Sequence, residues 1–272
     1  MPIHLSLKGQ VAIVTGGASG IGRATVQLLR EADATVIILD VSDDAGQQVA
    51  DSTGAHYLHC DMGTTAAITK AYHHIIEQHT NIDILVNNVG IWIPGGDILT
   101  MSETDMDRMD AVNVQGPRHL TRLVMNGMKQ HGDGGCVTFV ASTQAHVIDG
   151  TPTIYNVEKN TILGMTKTFA IAGGPLGIRV NAVSPGAIST EGMGAAHAVG
   201  KTRIQAGNHK TPLGRRGRPE EVAQEIVNLC FATYTNGDNR IVDGGFSRVA
   251  LPENLDPQPR QVTGDPDAEF LR

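Results

Sequence analysis

The sequence has 272 residues, 40 % of them hydrophobic, which is long enough for one large α/β domain with a substantial core. Its formal net charge of −7 argues against non-specific binding to nucleic acid or to an anionic membrane. The 3 cysteines are far apart and odd in number, which excludes a disulfide framework and favours a reducing compartment. The N-terminus has no basic-then-apolar leader, and no apolar run approaches the ~20 residues of a membrane span, so we expect a cytoplasmic protein.

The first predicted elements are a short strand and a glycine-rich turn. Residues 11–15 form an apolar run typical of a buried parallel strand, and Gly16, Gly20 and Gly22 follow before a helical stretch. In such a turn the backbone amides can approach a pyrophosphate at the positive end of the helix. The flanking strand and helix favour a dinucleotide site over an ordinary turn, although the spacing differs from the tighter Gly-x-Gly-x-x-Gly pattern.

A carboxylate at the end of the second predicted strand bears on the choice of cofactor. Residues 35–40 end in Asp40, about 20 residues past the turn, where a carboxylate is expected to bind ribose hydroxyls. The same charge would repel a 2′-phosphate. No Arg or Lys lies between Glu31 and Asp61 to offset it, and Ser19 rather than a basic residue lies in the turn. The sequence therefore predicts NAD rather than NADP.

Helices and strands alternate through the rest of the chain. The remaining predicted elements are a weak helix near 43–51, a strand ending at 60–61, a helix at 66–79, a strand at 82–86, a long helix from Ser102 to 130, a strand at 136–141, a helix at 152–172, a strand at 178–183, a helix at 219–230 and a short strand at 239–242. This order implies a doubly wound parallel sheet with right-handed crossovers, which is a Rossmann-like α/β fold of three layers.

The chain shows no internal repeat beyond this alternation, so we expect a single domain. Residues 1–250 would form it, and the irregular stretch at 185–218 is the expected substrate loop. Residues 251–272 contain four of the 12 prolines and predict an extended C-terminal arm, either disordered or lying on a neighbouring subunit.

The predicted helix at 152–172 carries a candidate acid/base pair. Tyr155 and Lys159 are four residues apart and therefore lie on one helix face, about a turn from each other. A phenol titrates near pH ~10, but a nearby ammonium stabilises the phenolate. By itself this spacing is more often one core residue and one solvated residue.

The motifs taken together resemble the short-chain dehydrogenase/reductase family from about Leu7 to Arg248. The matching residues are Thr15-Gly16…Gly22, Asn87-Asn88-Val89-Gly90, Ser142, Tyr155…Lys159, Asn181-Ala-Val-Ser-Pro-Gly186 and Val242-Asp-Gly-Gly245. Val89 departs from the usual alanine, and the segment before Asn239 is shorter than is common. The resemblance also implies a homotetramer.

The resemblance implies which residues bind NAD. They are Gly16, Ser19 and Ile21 at the pyrophosphate, Asp40 at the adenosine ribose, Asp61 and Met62 beside the adenine, Asn88 supporting the turn, Ile188 and Thr190 on the nicotinamide side, and Tyr155 and Lys159.

The resemblance also implies four catalytic residues. Ser142 would hydrogen-bond the substrate oxygen, and Tyr155 would exchange a proton with it while hydride passes at the nicotinamide ring. Lys159 would bind the nicotinamide ribose and lower the pKa of Tyr155. Asn113 would hold a water in a proton relay. Taken alone, Ser142 could be a strand-end hydroxyl and Asn113 a helix-surface amide.

A proline in the long predicted helix supports a role for Asn113. Pro117 has no N–H to donate to the Asn113 carbonyl, so a kink or a bound water is expected there. We hypothesise that this carbonyl helps bind the relay water. A simple kink that fits the helix to its neighbour is the alternative.

Substrate-binding candidates lie in the segments after predicted strands four and five. They are Trp92, Ser142, Gln144 and His146, although the favoured alternative for His146 is a loop histidine in solvent. Lys201, Arg203 and Lys210 belong to an acid-free stretch that could steer an anionic substrate, or that is a solvated lid or subunit contact.

We predict no metal site. His56 and Cys60 share one face of a predicted strand, whereas His59 points to the other, so the three side chains cannot easily converge.

The sequence and the resemblance together predict an NAD-dependent alcohol dehydrogenase or ketone reductase acting on a small secondary alcohol. One alternative is an NADPH-dependent carbonyl reductase of the 3-oxoacyl type, against which Asp40 argues. Another is a non-catalytic NAD-binding regulatory protein, which the intact Ser142, Tyr155 and Lys159 disfavour.

Overall fold

A parallel sheet forms the centre of the molecule. The computed structural model describes residues 6–94, 96–148, 152–190 and 211–248, and within those ranges the sheet has seven strands. In chain order they are β1 (Val11–Thr15), β2 (Thr35–Asp40), β3 (His56–His59), β4 (Ile84–Asn87), β5 (Gly135–Val140), β6 (Ile178–Pro185) and β7 (Asn239–Val242). Their spatial order is β3-β2-β1-β4-β5-β6-β7, and every pair is parallel. Strands are therefore added to one side of β1 as far as β3, and to its other side from β4 onward. This change of side opens a crevice at the carboxyl ends of β1 and β4.

Helices cover both faces of the sheet. They are α1 (Gly20–Glu31), α2 (Asp43–Thr53), α3 (Thr65–Gln78), α4 (Glu103–Asp110), α5 (Gly116–His131), α6 (Ile154–Gly173) and α7 (Pro219–Phe231). The helices α3, α5 and α6 enclose one core cluster, and α1, α2 and α7 enclose the other. Neighbouring residues of β1 alternate between the two, with Ile13 in the first and Val14 in the second. Burial on both faces explains why the central strands read as apolar runs, whereas the edge strands β3 and β7 are partly exposed. The predicted three-layer Rossmann-like fold is confirmed.

The long helix predicted from Ser102 to 130 is not continuous. Ser102 caps α4 as expected, but a π-helical turn (Ala111–Gln115) separates α4 from α5. Pro117 lies at the start of α5 and cannot donate to the carbonyl four residues earlier, so the regular hydrogen-bond ladder must change at Asn113. The expectation of an irregularity at Asn113 is correct, and the expectation of one unbroken helix is wrong.

Two predicted segments fall largely or wholly outside the described residues. Residues 191–210 of the proposed substrate loop and all of 251–272 belong to this group, so Lys201, Arg203 and Lys210 are not described. In the parts of the chain that are described, no helix has the length and apolar character needed to span a bilayer.

Candidate active site

The glycine-rich turn lies at the carboxyl end of β1 and depends on backbone that only glycine adopts without strain. Gly16 has φ 67° and Gly20 has φ 50°, both in the left-handed region. At Gly22 a side chain would overlap the carbonyl oxygen of Gly16 and approach the Asn88 amide. The turn therefore folds tightly against the start of α1, which leaves its amides at the open edge of the sheet.

The first turn of α1 can accept an anion. Ser19 precedes the helix in an extended conformation, and its side chain makes no capping hydrogen bond. The amides that open α1 have no helical partner, and the positive end of the helix dipole is directed the same way. Across the turn, the Thr190 methyl group lies 3.1 Å from where a Cβ of Gly20 would be. These features fit a dinucleotide pyrophosphate.

Thr15 and Asn88 join the turns that follow β1 and β4. The Thr15 hydroxyl accepts hydrogen bonds from the amides of Asn88 at 3.0 Å and Val89 at 3.1 Å. The Asn88 amide group donates to the carbonyls of Thr15 at 3.0 Å and Gly16 at 3.1 Å. Asn88 thus supports the glycine-rich turn, as its expected role requires.

The Asp40 carboxylate is held at the end of β2 by backbone donors. It accepts hydrogen bonds from the amide of Ala18 in the glycine-rich turn at 3.0 Å and from the amide of Ser42 at 3.1 Å. A carboxylate so oriented, one strand away from the pyrophosphate turn, is well placed for the hydroxyls of an adenosine ribose.

Asp61 is paired with a residue that sequence reasoning missed. Two nitrogens of Arg108 in α4 contact its two carboxylate oxygens at 3.0 and 3.3 Å, and the amide of Gly63 donates to it at 2.8 Å. Burial opposes ionisation, but these hydrogen bonds and the charge of Arg108 hold the pKa of Asp61 below its usual value. The Met62 side chain is buried in the core, so contact with an adenine would have to come from its backbone.

Ser142, Tyr155 and Lys159 converge beyond the carboxyl end of β5. Tyr155 lies in the first turn of α6, and its interaction with the Ser142 side chain lowers the pKa of its hydroxyl. The Ser142 hydroxyl also accepts from the amide of Gln144 at 3.1 Å. Lys159 is 3 % exposed; its Nζ donates to the carbonyl of Val140 at 2.9 Å and lies 5.3 Å from the centre of the Tyr155 ring.

The electrostatics of this group differ from the sequence-based expectation. Burial raises the pKa of Tyr155 to about 12, which outweighs the lowering effect of the Ser142 hydrogen bond. The expectation that the pKa of Tyr155 is lowered is therefore wrong for the protein alone, because burial has the larger effect. Burial also lowers the pKa of Lys159 to about 8, so the ammonium itself is less favoured than in solvent.

Asn113 is buried in the π-helical turn and holds the segment that follows β4. Its side-chain oxygen accepts from the Ile91 amide at 2.8 Å, and its Nδ2 donates to the Ile91 carbonyl at 2.8 Å. The same Nδ2 donates to Oε2 of Glu158 at 2.7 Å. Lys159 Nζ and Asn113 Oδ1 would lie 3.4 and 3.6 Å from a Cβ placed on Gly90, so the two residues approach each other at this glycine. The hypothesis of a relay water at the Asn113 carbonyl stays a prediction.

The proposed substrate residues differ in their exposure and in their hydrogen-bond partners. Trp92 is 49 % exposed in the segment after β4. The Gln144 side chain accepts a hydrogen bond from Asn156 at 2.7 Å. His146 is directed at β6 and β7: its Nε2 lies 2.8 Å from Asn239 Nδ2 and 3.5 Å from the Ser184 hydroxyl. Of the proposed substrate residues, Ser142 interacts with Tyr155 and lowers its pKa.

The remaining predicted groups are Ile188 near the cofactor and the histidine and cysteine side chains of β3 and its end. Ile188 is 5 % exposed and pairs with Gly217, so its side chain belongs to the core behind the turn. His59 contacts the Asp43 carboxylate at 2.7 Å, whereas Cys60 is buried in the core. Over the ranges that the structure covers, no three His, Cys, Asp or Glu side chains come together as metal ligands.

Comparison with known proteins gives the family. The family model described as "Enoyl-(Acyl carrier protein) reductase" matches residues 16–247. The chain belongs to the short-chain dehydrogenase/reductase family. Its members are oxidoreductases that bind a nicotinamide cofactor.

Individual relatives span nearly the whole chain. It is 32 % identical over 250 residues to "Short-chain dehydrogenase reductase 3b" of Arabidopsis thaliana, covering 89 % of this chain and 97 % of the relative. It is 32 % identical over 259 residues to "Tropinone reductase-like 1" of Erythroxylum coca, covering 90 % and 93 %. A solved structure of 3-ketoacyl-(acyl-carrier-protein) reductase from Brucella melitensis complexed with NADH is 29 % identical, with a TM-score of 0.83 and coverage of 89 % and 100 %.

Proposed function

We propose that this protein is an NAD-dependent oxidoreductase that interconverts a secondary alcohol and a ketone, with Tyr155 as the acid/base group. The convergence of Tyr155 and Ser142 with the buried Lys159, whose Nζ lies 5.3 Å from the centre of the Tyr155 ring, is the observation that supports it most. A substrate oxygen that lay between the two hydroxyls could bind both at once and exchange its proton with Tyr155. When bound, the nicotinamide ring supplies or accepts the hydride.

The state of each side chain determines its role. With a pKa of about 12, Tyr155 carries its proton at neutral pH and can give it to a ketone oxygen. The Ser142 hydroxyl can donate a hydrogen bond to the same oxygen. Lys159, with a pKa of about 8, is mostly cationic at pH 7 and favours the phenolate that remains. Oxidation of an alcohol is the reverse process, and its first requirement, loss of the Tyr155 proton, is favoured at high pH.

Asp40 supports NAD over NADP. Its carboxylate is held by the amides of Ala18 and Ser42, so it cannot easily turn away from a 2′-phosphate. A related solved structure is described as a complex with NADH. Titration of the protein with each dinucleotide tests this choice. We expect the lower dissociation constant for NAD, and tighter binding of NADP would refute the proposal.

A panel of cyclic, linear and carboxylated secondary alcohols tests the activity. Absorbance of the reduced nicotinamide reports turnover, and Tyr155→Phe is the matched variant because it keeps the ring and removes the hydroxyl. We expect at least one alcohol to be oxidised by the wild type and not by the variant. Turnover by neither protein, with intact NAD binding, would favour the non-catalytic regulatory alternative.

A second candidate is reduction of a 3-oxoacyl thioester. The names of the family model and of the Brucella melitensis structure both refer to acyl-carrier-protein reductases. Faster reduction of a 3-oxoacyl thioester with NADPH than of any simple ketone with NADH would favour this function over the first.

Four further expectations accompany the proposal. Val157 and Ile171 are exposed apolar residues of α6, 54 % and 80 % accessible, and their exposure supports a homotetramer that light scattering would test.

Deletion of residues 251–272 tests whether this arm contributes to assembly, and mutation within 185–218 tests the role of the loop in substrate choice. Fractionation of cells that express the protein tests the cytoplasmic location.

A further inference from the structure

Glu158 is a buried carboxyl group that the proposed reaction does not use. It lies in α6 between Tyr155 and Lys159 in the sequence and is 2 % exposed. Carboxyl groups are seldom fully buried unless they are paired, because burial removes their hydration. Its presence next to the acid/base pair therefore requires an explanation.

The two oxygens of this carboxyl group differ in their hydrogen bonding. Oε2 accepts the 2.7 Å hydrogen bond from Nδ2 of Asn113. Oε1 is buried and has no hydrogen-bond partner among the described residues. A glutamine would accept the same bond from Asn113 with a side chain of the same shape. What distinguishes glutamate at this place is its charge.

The charged neighbours of Glu158 come from two elements. On α6, the Lys159 ammonium favours the ionised carboxylate, and in return the carboxylate raises the pKa of both Lys159 and Tyr155. From α4, Asp110 opposes ionisation, and burial raises the pKa of Glu158 most strongly. The π-helical turn contributes the neutral donor Asn113. Lys159 is thus the cationic neighbour that can offset a negative Glu158.

We propose that Glu158 is a positioning residue, whose Oε2 holds Asn113 and through it the Ile91 segment, and whose negative charge maintains Lys159 as an ammonium. The catalytic consequence rests on the proposed function, but the charge relation between Glu158 and Lys159 does not. Glu158→Gln separates the two roles because it keeps an acceptor for Asn113 and removes the charge. Glu158→Ala removes both.

Titration of Lys159 by NMR tests the charge relation without substrate or cofactor. The protein is labelled at the lysine ε-carbon, and the Lys159 signal is assigned by its absence in Lys159→Arg. We expect the midpoint in Glu158→Gln to fall by about one pH unit, the lower end of the shift produced by a neighbouring opposite charge. Glu103→Gln, which removes a charge from the exposed start of α4, is the matched control and should leave the midpoint unchanged. An unchanged or higher midpoint in Glu158→Gln would overturn the proposal.

A second measurement covers the case in which the variants do not fold. The NMR signal of the Glu158 carboxyl carbon in the wild type is assigned by through-bond correlation with the backbone amide of Glu158. Its chemical shift should show an ionised carboxylate at pH 8. A protonated Glu158 at that pH would equally overturn the proposal.

Activity then provides the functional test. In Glu158→Gln the rise of kcat/KM with pH should begin at a lower pH, because the phenolate of Tyr155 becomes easier to form without the neighbouring negative charge. Glu158→Ala should in addition lose activity at every pH, since Asn113 loses its acceptor. If the Lys159 midpoint falls but no alcohol is turned over by any form, the charge relation stands and the proposed function fails.

Discussion

The glycine-rich turn after β1 and the inner face of α6 form two halves of one site but are built differently. The turn is made of backbone: left-handed glycines, free helix amides and bonds from Thr15 and Asn88. The face of α6 is made of titratable side chains, of which Glu158 and Lys159 are buried and Tyr155 is half-buried. Shape controls what the first half binds, and burial controls what the second half can do. The two halves should therefore respond differently to mutation.

Breaking the turn should give the largest effect on cofactor binding. Gly22→Ala places a methyl group against the Gly16 carbonyl, and backbone cannot move aside cheaply. We expect NAD affinity to fall by about 100-fold, equivalent to about 2.7 kcal/mol. Calorimetric titration measures it. The matched control is Gly164→Ala, because a Cβ there meets nothing within 4 Å. Equal affinities for the two variants would contradict a turn selected for close approach.

Removing the Asn113 side chain should break the α6 half. Asn113→Ala leaves the amide and carbonyl of Ile91 and the Glu158 carboxyl without their shared partner. We expect the free energy of unfolding to fall by about 2 kcal/mol, as is usual for buried groups left unpaired. Urea denaturation measures it, and kcat/KM should fall as well while the NAD dissociation constant changes little. A large loss of NAD affinity with full activity would reverse the assignment of Asn113 to the catalytic half.

Removing the Asp40 charge should change the cofactor preference without breaking the glycine-rich turn. Asp40→Asn keeps a side chain that can accept from Ala18 but no longer repels a phosphate. We expect the preference for NAD over NADP to narrow by about tenfold, close to the worth of one charged hydrogen bond. The ratio of the two dissociation constants is the measurement. Asp51→Asn, on the exposed side of α2, is the control that should keep the wild-type ratio.

The same division explains how much the sequence could predict. The strands at 11–15 and 35–40 were predictable to the residue, because apolar runs bounded by glycine or by polar residues report burial on both faces of a sheet. The turn was predictable for the same reason, since its glycines serve a local backbone conformation.

What the sequence could not predict arises from contacts between distant elements. The pairing of Arg108 with Asp61 and the contact of His146 with Asn239 join positions that are 47 and 93 residues apart. The direction of the pKa shift at Tyr155 depends on burial, which the spacing of two residues on a helix does not report. Glu158 was visible beside Lys159, but its burial against Asn113 required the fold.

The pH dependence of kcat/KM for alcohol oxidation tests the central claim most directly, because it reports whether Tyr155 must lose its proton. The pKa of Tyr155 is raised by burial, so the phenolate is scarce at neutral pH, and the rate should rise steadily from pH 7 toward the alkaline limit of protein stability. In Tyr155→Phe the rate should fall by about 10²–10⁴-fold, the usual contribution of a positioned acid or base, and the rise with pH should vanish. A Tyr155→Phe protein that kept both the wild-type rate and its rise with pH would contradict the account.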